Sequence, residues 1–452
     1  MIAARIGDPD AEVLTTVSVQ LRHVRQHIDR VLVGKDEDTQ SAVHSTCRTV
    51  LTMSQTTQAA LSPYRVIDLT AEIGGLSTKL LAGLGADVIR IEPPGGHVTR
   101  RRGPMQREDE DSSLYWVQMN AGKRSIMLDL DQEQDHERLR ALCETADFLF
   151  ESDAPGAMAA RGLGYDDLRE RAPQLIYVSI TPFGQTGPKS MWATSDLIGH
   201  VSGGLSSLVG DPDRAPLRPS VEQAYNITAL NAGSAALIAL HARHLSGRGQ
   251  HVDVSMQAAM ANTLGNARLY YEMDGIVTER AGGARAFADR ATRIIYSCAD
   301  GYVAFVRIPA SMRALHRWMT AEDAHPGFDA EKWAGISIAG NNLPDDDEVA
   351  ELEFEIEAFF AARGAQSLYE SGQHHGVMIC PVNTMQDIVD SPQLAARGFF
   401  DEIDDPELGR LTVPGAPLKM SATPWQTRPA PTLGQHQDEI LTAAASEVRD
   451  GD

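Results

Sequence analysis

Residues able to do chemistry are scattered along this chain rather than gathered into one motif. His241 and His244 stand three apart, with His251 just beyond. No acidic residue sits at ligand spacing beside them, so they read as surface histidines and no metal site is expected. His374-His375 reads as a loop pair. Cys47, Cys143, Cys298 and Cys380 lie far apart with no C-x-x-C pair, which fits a reduced, cytoplasmic enzyme better than a disulfide scaffold. The phosphate loop G-x-x-x-x-G-K-[ST], the dinucleotide turn G-x-G-x-x-G, the nucleophile elbow G-x-S-x-G and the zinc motif H-E-x-x-H are all absent. What remains is a set of loops: Gly184-Gln185-Thr186-Gly187-Pro188, then Asp196-Leu197-Ile198 and Ser202-Gly203-Gly204, then Gly247-Arg248-Gly249-Gln250. The first follows an apolar strand, which is where open α/β sheets bind ligands. Taken singly, each loop also reads as plain turn chemistry.

The elements around these loops follow a βαβ pattern. Arg65–Leu69 predicts a short strand, Gly74-Gly75 a turn, and Leu76–Leu84 a helix that Gly85 ends. Asp87–Ile91 is the next strand, stopped by Pro93-Pro94, which implies a right-handed parallel unit. Further strands are expected at Ser125–Leu130, Ala146–Phe150, Leu175–Ile180 and Val252–Ser255, with a helix at Gln132–Thr145. Residues 226–245 predict a long helix rich in alanine and glycine, suited to close packing. A strand pair is expected around Arg293–Arg307, and strands and turns return after Gly376. Ahead of the body, Val13, Val17, Leu21, Val24 and Ile28 mark one face of a helix. Met53 is a candidate internal start.

Composition bounds the function. With 452 residues, 42% of them apolar and 23% charged, the chain has material for a large core. Its net charge of −22 repels phosphate backbones and anionic lipid, so no nucleic acid and no membrane is expected as partner. A local basic pocket for an anionic ligand remains compatible with it. No apolar run reaches the roughly 18 residues of a membrane span, and no signal peptide is evident at the start.

Six segments together resemble the class III coenzyme A transferases, the family of formyl-CoA and carnitine CoA-transferases and of α-methylacyl-CoA racemases. They are Tyr64–Glu92 (YRVIDLTAEIGGLSTKLLAGLGADVIRIE), Asn120–Leu130 (NAGKRSIMLDL), Val178–Pro188 (VSITPFGQTGP), Ser195–Gly210, Ser246–Met256 (SGRGQHVDVSM) and Gly376–Leu441. The last contains SPQLAARGFF and RPAPTLGQHQDEIL. The resemblance implies an α/β fold: a Rossmann-like large domain with a parallel sheet, a smaller middle α+β domain, and two subunits threaded into an interlocked dimer. It implies a large CoA-binding domain from 61–261 and 376–446, a small domain at 262–375, and a helical extension at 1–60 outside the family.

The resemblance also implies a chemistry. A carboxylate attacks an acyl-CoA thioester, a mixed anhydride forms, and CoA moves to a second carboxylic acid. CoA contacts are implied at Arg90, Arg100, Lys123 and Arg124, with adenine along Leu128–Asp131. By itself Arg100-Arg101-Arg102 also reads as a solvated basic run. The family's nucleophilic Asp precedes the long helix. Counting back from Gly247-Arg248-Gly249-Gln250 without a gap lands on Tyr225, a phenol with an ordinary pKa of about 10. Candidate carboxylates are therefore Asp196, Glu72 and Glu222. The family's E-N-F-R-P-G stretch reads Glu151-Ser152-Asp153-Ala154-Pro155-Gly156 here, and the racemase histidine position holds Ser195. Three functions stay open: a CoA-transferase acting on acyl-CoA and a small carboxylic acid; a silent subunit paired with an active relative; and an acyl-CoA-binding protein without turnover. The partner is a second copy or a related subunit.

Overall fold

In the computed structural model, residues 59–106, 113–287, 290–335 and 346–449 are described. The expected extension at 1–60 falls almost wholly outside them.

The central sheet has six parallel strands: β1 (Arg65–Leu69), β2 (Asp87–Glu92), β3 (Arg124–Met127), β4 (Phe148–Glu151), β5 (Ile176–Thr181) and β6 (His251–Ser255). Their order is β3-β2-β1-β4-β5-β6, the doubly wound order in which winding reverses between β1 and β4. Alternate residues face opposite sides of the sheet. Val66, Val88, Phe148, Phe150, Ile176 and Val178 enter one core, while Ile67, Ile89, Ile126, Leu149 and Tyr177 enter the other. β1, β2, β4 and β5 are buried on both faces, and their apolar runs made them legible.

Helices cover both faces. α1 (Gly75–Gly83) follows β1, and Gly85 (φ 95°) turns the chain back as expected. α2 (Leu114–Asn120) precedes β3, and α3 (Glu133–Glu144) joins β3 to β4. The long crossover from β5 to β6 carries α4 (Asp196–Ser202) and the 24-residue α5 (Gln223–Ser246); α6 (Met256–Asn262) follows β6. Ala224, Ala232, Ala236 and Ala239 of α5 are buried in the core. Their small side chains let α5 lie close to the sheet. Gly247 ends α5, and Gly249 passes so near Leu175 that a Cβ there would lie 2.0 Å from its carbonyl oxygen. Only glycine fits that crossing.

A third core gathers Tyr296, Phe305, Trp318, Phe360 and Ile379 around a three-stranded antiparallel sheet of Ile295–Cys298, Gly301–Phe305 and Ile379–Pro381. The chain then returns to the first body. The His436 N–H donates to the Ser125 carbonyl (3.0 Å), and Ile440 of the closing helix enters the core beside α3. No helix among the described residues is long and apolar enough to cross a membrane.

Candidate active site

Asp68 near the end of β1 organises the floor of the site. It is fully buried and accepts from the Thr70 N–H (2.9 Å), the Thr70 and Thr78 hydroxyls (2.7 and 2.9 Å), Arg90 (3.0 Å) and Lys123 (2.9 Å). Burial pushes its carboxyl up, but Lys123 and Arg90 outweigh that and hold it well below the usual carboxylate range. Burial lowers the Lys123 ammonium to about 8 against the pull of Asp68. The structure thus places Arg90 and Lys123 inside the fold, both paired with the single Asp68 carboxylate, where they fix the turn after β1. Arg100 is held by Glu92 through two bonds (2.7 and 2.8 Å) and stacks over Trp116. Arg124 pairs with Asp87 and Glu439, both at 2.9 Å.

A cleft of about 270 Å³ opens at the carboxyl ends of β1 to β4, at the point where winding reverses. Leu128 and Asp131 line it together with Ala71, His97, Ser152 and Arg161. Ser152 Oγ accepts the Ala71 N–H (2.6 Å), tying β4 to β1 across the switch point. Burial, helped by Arg90, pushes His97 down to about 4, so its ring is neutral at physiological pH. Its Nδ1 accepts the Thr99 N–H (3.3 Å) and lies 2.8 Å from the Thr99 hydroxyl. Arg161 reaches Asp153 (3.0 Å) and Asp131 (3.7 Å) at the rim. Beneath it, burial raises Glu151 to about 7. Arg100 and Arg101 line a second hollow of about 220 Å³ with Gly95 and Trp116.

The four candidate reactive residues come together at the N-terminus of α5. Asp196 opens α4 behind the Ser195 cap and is buried. Its Oδ1 accepts the backbone N–H of Tyr225, the third residue of α5, at 3.1 Å. A carboxylate from one helix thereby satisfies an orphan donor of another and meets its positive end. Asp196 Oδ2 is buried and, among the described residues, has no hydrogen-bond partner. His200 Nε2 lies 3.5 Å from it and Arg218 3.6 Å. Burial, then Glu72 and Asp196, push the Tyr225 phenol above its ordinary value, further from a usable nucleophile. Glu72 and Glu222 both engage Arg102, Glu222 at 2.7 Å. Arg102 stacks on Tyr115, 4.2 Å from the ring centre. Two members of the basic run are therefore paired side chains, and only Arg101 is exposed. Nearby, Gly184 (φ 88°) turns the Gly184–Pro188 loop, and the Gln185 N–H donates to Asp253.

Among the described residues no group of three or more His, Cys, Asp or Glu gathers to hold a metal ion. Sequence reasoning missed Asp68, His97, Arg161, His200 and Arg218. Only His200 carried a local signal, standing four residues after Asp196 on the same helical face.

The arrangement offers one desolvated carboxylate with a free oxygen, a helix N-terminus beside it, and a cleft at the switch point. That is equipment for covalent carboxylate chemistry on a bound thioester. Comparison with known proteins gives the family. The family model for CoA-transferase family III matches residues 61–437. The succinyl-CoA:(R)-benzylsuccinate CoA-transferase subunit BbsE of Thauera aromatica is 36% identical over 390 residues, covering 84% of this chain and 93% of that protein. The succinyl-CoA–D-citramalate CoA-transferase of Chloroflexus aurantiacus is 30% identical over 396 residues, covering 86% and 95%. The crystal structure of a CAIB/BAIF family protein from Brucella suis superposes with a TM-score of 0.71 at 28% identity, covering 86% of this chain and all of that one. With the family model matching from β1 to the start of the closing helix, and relatives of 30% identity or more covered over most of their length, the chain belongs to CoA-transferase family III.

Proposed function

We propose that this enzyme moves CoA between succinyl-CoA and a second carboxylic acid through an acyl anhydride on Asp196. One observation carries the choice of nucleophile. Asp196 Oδ1 is held by the Tyr225 N–H, while among the described residues Oδ2 accepts no hydrogen bond and its ion-pair neighbours His200 and Arg218 stand off at 3.5 and 3.6 Å, whereas Glu72 and Glu222 are both engaged by Arg102, Glu222 at 2.7 Å. A desolvated anion with a free lone pair is the stronger nucleophile.

The steps balance without an outside reagent. Asp196 Oδ2 attacks the thioester carbonyl carbon, its C–S bond breaks, and CoA leaves as thiolate. The thiolate attacks the Asp196 side-chain carbonyl carbon, releasing succinate and forming an aspartyl-CoA thioester. During that attack negative charge develops on Oδ1, where the Tyr225 N–H already donates. The acceptor carboxylate then attacks the aspartyl thioester and expels the thiolate again. The thiolate attacks the acceptor acyl carbon, giving the new acyl-CoA and free Asp196.

The CoA nucleotide occupies the cleft at the switch point, with its adenine along Leu128–Asp131. The His97 ring and the Arg161 guanidinium supply donors for its oxygens. Arg90, Lys123, Arg100 and Arg124 shape this end of the sheet through their ion pairs. Succinyl-CoA as donor is supported by the names of the two relatives above.

The enzyme acts as a dimer interlocked with a second subunit. Leu230, Ile238 and Leu245 stand 47, 70 and 80% exposed along one band of α5, an apolar face of the kind partners cover. The word subunit in the Thauera relative's name supports a related chain as that partner. The domain division into 61–261 with 376–446 and 262–375 belongs to the same proposal, supported by the separate core of residues 296–379.

The test uses hydroxylamine, which intercepts activated acyl groups. Inactivation that requires succinyl-CoA supports the anhydride route. Full activity after long exposure to both would exclude it.

A further inference from the structure

We propose that His200 is a positioning residue for the transfer reaction, holding the attacking oxygen of Asp196 from one turn along the same helix. The inference rests on Asp196 being the nucleophile.

Asp196 and His200 stand four apart on α4, so their side chains share a face. His200 is wholly buried, and neither Nδ1 nor Nε2 has a hydrogen-bond partner. Asp196 Oδ2 is likewise without one. Buried polar groups left unpaired are costly and uncommon. Here they face each other, with Nε2 3.5 Å from Oδ2. Among the described residues no other group claims the ring, so the carboxylate itself selects the form with a proton on Nε2. As imidazole in that tautomer or as imidazolium, the ring presents the same donor.

Packing keeps the ring from turning to water. A Cβ on neighbouring Gly199 would lie 2.6 Å from Met256 Sδ and 2.8 Å from Ala224 Cβ, so α4 is pressed against α5 and the start of α6. Arg218 approaches the same oxygen at 3.6 Å, but its side chain is 42% exposed and its hold is weakened by solvent. The Tyr225 N–H already on Oδ1 and the His200 Nε2–H, once it closes on Oδ2, therefore make a two-point hold. It sets the carboxylate plane and leaves one lone pair of Oδ2 for attack. At 3.5 Å the second contact is loose, and such contacts tighten when substrate closes the site.

The test compares near-isosteric variants of the full chain, His200→Gln with a donor and His200→Met without one. The readout is exchange of labelled succinate into succinyl-CoA. His200→Met is expected to lower kcat roughly 10- to 100-fold with KM for succinyl-CoA within about threefold of wild type. His200→Gln is expected to restore kcat to within about fivefold of wild type, because its side-chain amide reaches the same oxygen. If His200→Met does not fold, His200→Leu takes its place. Equal activity of the donor and donor-free variants, or a loss confined to KM, would overturn the assignment. An active Asp196→Asn would instead overturn the nucleophile. An inactive Asp196→Asn beside a fully active His200→Met removes the role of His200 alone.

Discussion

Asp196 Oδ1 accepts the Tyr225 backbone N–H at 3.1 Å, across 29 residues and two helices. The position to which an ungapped count assigns the family nucleophile thus contributes a main-chain donor, and the carboxylate it meets belongs to the helix before. In the proposed mechanism the two residues act as one unit: Asp196 as nucleophile, and the Tyr225 N–H as donor to the oxygen on which charge develops.

That relationship separates two substitutions. Tyr225→Phe keeps the backbone N–H and is expected to leave kcat within about threefold of wild type. Asp196→Asn still accepts that N–H but has no anionic oxygen, and is expected to lose at least about 10³-fold in kcat. Steady-state succinate exchange measures both.

Glu72 and Glu222 share Arg102, so removing one charge leaves the other pair. Glu222→Gln is expected to keep turnover within about threefold and to change stability by less than about 1 kcal/mol, as partly exposed pairs do. Loss of turnover on this change alone would move the nucleophile to Glu222.

Burial raises Glu151 to about 7. A carboxyl raised on folding stabilises most below its unfolded value of about 4.3, and this contribution is lost as pH rises through about 7. Thermal unfolding followed from pH 4.5 to 7.5 is expected to show a downward slope of order 3 kcal/mol in total from this group. Glu151→Gln is expected to flatten it while keeping the bond from the Asp153 N–H.

Asp68 behaves in the opposite sense. Its folded value is depressed, so its contribution is present above the unfolded value of about 3.9 and is lost as pH falls. Asp68→Asn leaves Arg90 and Lys123 buried without their counter-charge. It is expected to cost about 3–5 kcal/mol in denaturant unfolding.

These sites also show what the sequence made legible. β1, β2, β4 and β5 stood out because strands buried on both faces are continuous apolar runs between turn residues. α5 stood out through its alanines. Arg90 and Lys123 look like ligand-seeking cations in sequence because their neutralising partner, Asp68, sits on another strand and pairs only once the sheet forms. Asp196 was visible as a candidate, but its standing over Glu72 and Glu222 depends on Arg102, which reads as part of a basic run until the fold brings both glutamates to it. His200 was legible only as spacing. Its burial and its unpaired nitrogens are tertiary facts.

The central claim is that Asp196 carries the acyl group. Incubating the enzyme with succinyl-CoA and hydroxylamine, then mapping the modified peptide by mass spectrometry, tests it most directly. A single hydroxamate at Asp196, formed only when succinyl-CoA is present, is expected. A hydroxamate at Glu72 or Glu222, or an unmodified Asp196 in enzyme that has turned over, would contradict it.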